Sequence, residues 1–145
     1  MKKALEQANK ALMLDEVPVG AILVDNKTGS IINSAHNLVN SNKNSIAHSE
    51  ILLINRAVEI KKTKFLNETS IFVTLEPCAM CAAAISEMHI KRLYFGAYDN
   101  KKGSLESIMR IYNQKNYFVP EVYGGINEKE CANILKDFFI KKRKK

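Results

Sequence analysis

What the chain lacks narrows it first. It has no tryptophan, and only three cysteines, three prolines and six glycines among 145 residues. An odd cysteine count, with two of the three in one C-x-x-C, gives no disulfide framework and points to a reducing compartment, the cytoplasm. The missing tryptophan counts against the main rival reading of that motif, a thioredoxin-like redox pair, because Trp usually precedes such a pair. No apolar run approaches bilayer length, so no membrane-spanning segment is expected. Met1-Lys2-Lys3 runs into mixed polar and apolar residues without an apolar h-region, so a typical signal peptide is not expected. There is no internal repeat, linker or low-complexity tract, and a single domain over residues 1–145 is expected.

What is present is a globular composition with a basic balance. Hydrophobic residues make up 46% of the chain, enough for a core of useful size. The net charge of +7 favours an anionic partner, nucleic acid first, although a solubilising surface accounts for it equally well.

Periodicity supplies the elements. Ala4, Ala8, Ala11 and Leu12 recur at helical spacing and predict a helix over 2–15. Residues 17–24 read as a strand, 25–29 as a turn, and Ile31-Ile32 as the start of a second, antiparallel strand. Residues 37–46 are loop, and a helix is expected from Ala47 to Lys61 with Ala47, Ile51, Ile54 and Val58 on its packed stripe. A buried strand over 70–75 leads to a helix from Cys78, then a strand over 92–96. A short helix is expected over 104–112 and an edge strand over 117–123, with Pro120 inside it. Asn127 and Glu130 form a capping pattern before a final helix, and the sequence closes on Lys141-Lys142-Arg143-Lys144-Lys145. Strand–helix alternation after a hairpin predicts a mixed five-stranded α/β sheet with helices on both faces.

Two short segments carry the chemistry. Ala47-His48-Ser49-Glu50 and Pro77-Cys78-Ala79-Met80-Cys81 together offer one imidazole, two thiols and one carboxylate. Three ligands for zinc, His48, Cys78 and Cys81, leave a position open for water, as in catalytic rather than structural sites. Cys78 and Cys81, three apart, share one side of a first helical turn, whose positive end favours thiolates. His48 and Glu50, two apart, cannot face each other within a helix, so they are expected at a helix start. Glu50 is then the candidate proton carrier. The blander readings are a first-turn surface carboxylate for Glu50, core packing for Cys131, and an end cap or surface residue for His89; nothing requires His36 to approach the site.

The H-x-E…P-C-x-x-C pattern matches the signature of zinc deaminases. With Glu16-Val17-Pro18-Val19-Gly20-Ala21, Asn37, Val73-Thr74-Leu75-Glu76-Pro77, Phe95-Gly96-Ala97-Tyr98-Asp99 and Gly124-Gly125-Ile126, the chain resembles the bacterial tRNA-specific adenosine deaminases of the cytidine deaminase superfamily. The resemblance implies a three-layer α/β/α fold and a homodimer. It implies one Zn²⁺ per subunit and hydrolysis of the wobble adenosine of a tRNA anticodon loop, typically in an arginine tRNA, to inosine. It also implies that Asn37 and Val19 meet the flipped base, that Asp99 meets a neighbouring ribose, and that Lys142 and Arg143 meet the loop backbone. Ser49 stands where the family usually has Ala, with little effect expected. The alternatives are a deaminase of free guanine, cytosine or cytidine, and a non-catalytic RNA-binding protein with a zinc-stabilised fold.

Overall fold

The computed structural model describes residues 1–145. In chain order it comprises α1 (Lys2–Met13), β1 (Gly20–Asp25), β2 (Ile31–His36), α2 (Ser49–Lys61), β3 (Thr69–Leu75), α3 (Ala79–Glu87), β4 (Arg92–Ala97), a 3-10 turn (Ile111–Asn113), β5 (Glu121–Tyr123) and α4 (Glu128–Arg143). The strands form one sheet in the order β2-β1-β3-β4-β5. β1 is antiparallel to both β2 and β3, and β3, β4 and β5 are parallel. This is the expected mixed sheet, with α1 and α4 on one face and α2 and α3 on the other.

The centres of β3 and β4 are apolar because helices cover both faces of the sheet there. Ile71, Val73, Leu93 and Phe95 are fully buried, as are Leu23, paired with Ile71 from β1, and Leu53 and Ile85 on the covering helices. Each such Leu, Ile or Phe contributes about 1.5–3 kcal/mol relative to exposure. α1 lies so close to β1 that a Cβ on Gly20 would collide with the Ala4 carbonyl and the Ala8 amide. That contact needs the small residues Ala4, Ala8 and Ala11, which form the buried stripe of α1.

Topology then decides where a site can form. The carboxyl ends of β3 and β4 lie at one edge of the sheet. Because β1 is antiparallel to β3, its amino end and the carboxyl end of β2 lie at that same edge. Open α/β sheets bind ligands at such an edge.

Several expectations need correction. The strand expected over 17–24 begins only at Gly20, whose N–H donates to Thr74 Oγ1; Val19 N instead bonds Val17 O in a tight turn. The α2 helix begins at Ser49, and its buried face is Glu50, Leu53, Ile54 and Ala57, so Ile51 and Val58 are only half-buried. Residues 104–110 form turns rather than a helix, since the N–H groups of Leu105, Glu106 and Ser107 are held by the Glu76 carboxylate instead of a helical ladder. β5 is indeed an edge strand but spans only Glu121–Tyr123, beyond Pro120, which has no N–H to donate. Asn127 precedes α4 in a left-handed conformation and makes no side-chain cap. His89 does end α3, in a left-handed conformation with its N–H donating to Ser86 O at 3.0 Å, but it is not free surface: its ring lies between Phe65 and Phe118 at 4.6 and 4.7 Å.

Candidate active site

The two short segments meet at the sheet edge because each opens a helix. His48 is the residue before α2, and Cys78 the residue before α3, both with extended backbone. Cys81 sits in the first turn of α3 and is fully buried. The donor atoms of His48, Cys78 and Cys81 all lie within 4.8 Å of one another. His48 Nδ1 is 3.7 Å from Cys78 Sγ and 3.5 Å from Cys81 Sγ. In tetrahedral zinc coordination, Zn–S of about 2.3 Å and Zn–N of about 2.0–2.1 Å set nitrogen and sulfur about 3.6 Å apart. The donor set therefore fits zinc in spacing as well as in kind. No fourth His, Cys, Asp or Glu joins the group. Cys131 is buried on α4, and His36 Nδ1 faces the carbonyl of Asn37.

The electrostatics of the sulfurs point the same way. Cys78 is lowered to about 4, first by the hydrogen bond that Cys81 donates to it and then by His48, against the opposing effect of burial. The same contact, with burial and the nearby Glu50, pushes Cys81 up. The pair is thus set up with Cys78 as acceptor and Cys81 as donor, and a zinc ion would require both as thiolates. His48 is raised by its hydrogen bond to Cys78, against burial.

Glu50 is buried at 4% exposure in the first turn of α2, beside the three donors. Burial raises its pKa, and a hydrogen bond from Ser49 opposes the rise. Ser49 Oγ donates to Glu50 Oε1 at 2.8 Å, and Ser49 N donates to Asn37 Oδ1 at 2.8 Å. Ser49 thus bonds to both Asn37 and Glu50, which its small size does not suggest. The bond to Ser49 also fixes the Asn37 amide and leaves its NH₂ as the group available to a ligand.

These residues open onto a cleft of about 590 Å³. His48, Glu50 and Cys78 form its floor, with Val19, Asn37 and Asp99 also lining it. The structure does not bring Lys142 and Arg143 into this lining; both are on the last turn of α4, and Lys142 is ion-paired with Asp15. From the same helix, Leu135 and Phe139 reach the cleft instead.

Sequence reasoning missed three further groups. Lys101 and Lys102 line the cleft mouth, their N–H groups held by Asp99 Oδ1 at 2.9 and 3.1 Å. Glu16 is buried and accepts from Asn40 N and from the N–H and hydroxyl of Ser41. Burial alone would raise Glu16, yet those donors hold it below the ordinary carboxylate value. Glu76, directly before Pro77, accepts hydrogen bonds along the facing loop. Proximity of Glu16 and Glu76 to the recognised motifs was the one signal available for them.

The sequence matches the MafB19-like deaminase family over residues 1–143. It is 46% identical to the tRNA-specific adenosine deaminase of Rickettsia bellii (strain RML369-C), over 99% of both chains. It is 41% identical to that of Bacillus subtilis (strain 168), covering 100% of this chain and 89% of the other. A structure solved in work on A-to-I editing by tRNA:A34 deaminases at the wobble position of transfer RNA superposes with a TM-score of 0.89. The two are 43% identical over 93% of this chain and 97% of that one. The guanine deaminase of Nitrosomonas europaea, at 19% identity and a TM-score of 0.81, shares the fold.

Proposed function

The chain belongs to the MafB19-like deaminases, among relatives that are tRNA-specific adenosine deaminases, and on that footing we propose that it converts the wobble adenosine of a tRNA anticodon, an arginine tRNA, to inosine. The observation that carries this reading is the placement of Glu50 beside a three-donor metal group at the floor of a cleft walled by Asn37 and Asp99.

His48, Cys78 and Cys81 would hold one Zn²⁺, which when bound supplies Lewis-acid activation of a water molecule. Glu50 supplies the proton traffic. Its carboxylate takes a proton from the attacking water and delivers it to N1 of the adenine ring, which makes C6 electrophilic. The hydroxide so formed adds at C6; Glu50 then takes the proton of the new C6 hydroxyl and passes it to the amine, and the C6–N bond breaks to release ammonia as C6=O forms. A carboxylate that gives and takes protons cannot also be a ligand, and Glu50 stands outside the donor group. Burial suits the task, because it lifts the carboxyl toward the pH at which the proton must move in both directions.

The base must leave its stack to reach this floor, and an anticodon loop is already single-stranded. Asn37, with its Oδ1 engaged by Ser49, presents its NH₂ to an acceptor on the purine ring. Val19 packs beside the base. Asp99 has Oδ1 occupied by the Lys101 and Lys102 amides, which leaves Oδ2 for a ribose 2′-OH and so favours RNA. Lys101 and Lys102 supply positive charge at the mouth, and Lys142 and Arg143 extend it along the end of α4.

A homodimer fits the exposed apolar side chains Ile46, Ile108 and Met109 on the two loops flanking the cleft. No helix is long and apolar enough to cross a membrane, and the cytoplasm is where tRNA would be met.

The test is incubation of the zinc-loaded protein with an anticodon stem-loop and, separately, with free adenosine, cytidine, cytosine and guanine, followed by mass analysis of the products. Inosine at the wobble position of the RNA alone is expected. Deamination of a free base or nucleoside, with the RNA untouched, would replace this reading with the small-molecule one. Binding without turnover would leave a zinc-stabilised RNA-binding protein.

A further inference from the structure

Glu76 connects the metal side of the cleft to its substrate side. Its backbone N–H donates to Ala97 O at 2.8 Å and extends the parallel β3–β4 ladder by one residue, immediately before Pro77 and Cys78. Its side chain, 2% exposed, turns the other way, into the loop over 99–107. Oε1 accepts from Asp99 N at 3.1 Å and from the Ser107 hydroxyl. Oε2 accepts from Leu105 N at 3.0 Å, Glu106 N at 2.8 Å and Ser107 N at 3.1 Å.

One carboxylate therefore gathers both ends of the loop. Gly103 lies against it so closely that a Cβ there would stand 2.5 Å from Glu76 Oε1. Ser104 adds a second tie from the same loop, donating through both N and Oγ to the Pro77 carbonyl. The loop has turns of its own, closed by Asp99 Oδ1 on the Lys101 and Lys102 amides and by Gly103 N on Asp99 O, and the Glu76 and Ser104 bonds are what tie those turns to the end of β3. Between the anchored ends lie Asp99, Asn100, Lys101 and Lys102, which line the cleft. A buried carboxylate is tolerated only when its oxygens are satisfied, and here loop amides satisfy them.

We propose that Glu76 is a positioning residue: its carboxylate sets the 99–107 loop as the RNA-facing wall of the cleft, so that it governs binding of the nucleotides around the target base and leaves the chemical step alone. This rests on the reading of the protein as a tRNA adenosine deaminase.

Glu76→Gln keeps the shape but turns an NH₂ toward backbone donors. In that variant the amides of Asp99, Leu105, Glu106 and Ser107 should exchange hydrogen faster. KM for the anticodon stem-loop should rise about tenfold or more, while kcat stays within about threefold and zinc content is unchanged. Ser107→Ala removes only the hydroxyl and should give the same pattern, smaller; it serves if Glu76→Gln fails to fold. An unchanged KM despite faster exchange, or a fall in kcat with KM unchanged, would overturn the proposal in either variant. Loss of zinc would do the same by placing the role of Glu76 on the metal side. Wild-type protein that makes no inosine would overturn the functional reading and this inference with it, whereas active wild type with unaltered variants overturns the inference alone.

Discussion

Ser49 Oγ lies 2.8 Å from Glu50 Oε1 and donates its proton there. It is the one hydroxyl bonded to the buried carboxylate, and it opposes the upward shift that burial imposes. Removing it in Ser49→Ala should raise Glu50 further. Glu50 must be ionised to take a proton from water, so the acid limb of the rate profile should move to higher pH while the plateau is kept. Superimposable profiles of inosine formation against pH would show that the bond has no influence on turnover.

Glu50→Gln keeps the side-chain shape and removes the carboxylate proposed to carry the proton. Inosine formation should fall by about 10² to 10⁴-fold, the usual contribution of a positioned acid–base group. Metal analysis should still find one zinc per chain, because Glu50 is not among the donors. Activity within about tenfold of wild type would assign the proton transfer elsewhere.

Stripping zinc with a chelator should expose a selective nucleophile. Cys78, half-buried at the cleft and lowered to about 4, is a thiolate at neutral pH; Cys131 is buried and pushed up to about 11 by burial and by Glu130. Iodoacetamide at neutral pH should therefore alkylate Cys78 first, and prior addition of zinc should protect it. Peptide mapping by mass spectrometry reads the order, and labelling of Cys131 first would contradict it.

Glu16 makes stability depend on acid. Its folded pKa is depressed by the Ser41 and Asn40 donors, which outweigh burial. The sign follows from linkage. The contribution is fully present above the ordinary value of 4.5 and is lost as pH falls from there through the folded value. Thermal unfolding of wild type and Glu16→Gln across that range should differ most at neutral pH and converge in acid. A constant gap would mean that ionisation of Glu16 is not what holds the 37–41 segment.

Lys142 is paired with Asp15, so its charge is partly spent within the protein. Asp15→Asn should tighten stem-loop binding and steepen its salt dependence, with the slope of log K against log salt changing by about 0.7 per phosphate newly contacted. Truncation after Phe139 should do the reverse and leave zinc content unchanged. Equal slopes for all three proteins in a salt titration would remove the α4 terminus from the interface.

The parts legible from sequence were those fixed by local spacing. β3 and β4 announce themselves as β-branched and aromatic runs, and the starts of α2 and α3 follow from the spacing of His48, Glu50, Cys78 and Cys81. What was not legible depends on partners far away in the chain. Residues 104–110 carry helical periodicity, but a carboxylate about thirty residues upstream holds their amides. Lys142 reads as a free cation until Asp15, 127 residues earlier in the chain, is seen beside it. Ser49 looks inert by size, and only its placement in the fold reveals its backbone bond to Asn37 and its hydroxyl bond to Glu50. Residues 117–119 look like strand, yet Phe118 stacks on His89 and Val119 stays exposed, so pairing begins after Pro120.

Because the 99–107 loop is held by the carboxylates of Glu76 and Asp99 on its backbone amides, the side chains at its crest are released from any duty to keep its form. Asn100, Lys101 and Lys102 turn their side chains to the cleft and share none of the bonds those side chains would need to keep the loop folded. Substrate preference can therefore drift, or be redesigned, by exchanging those three side chains on an unchanged scaffold.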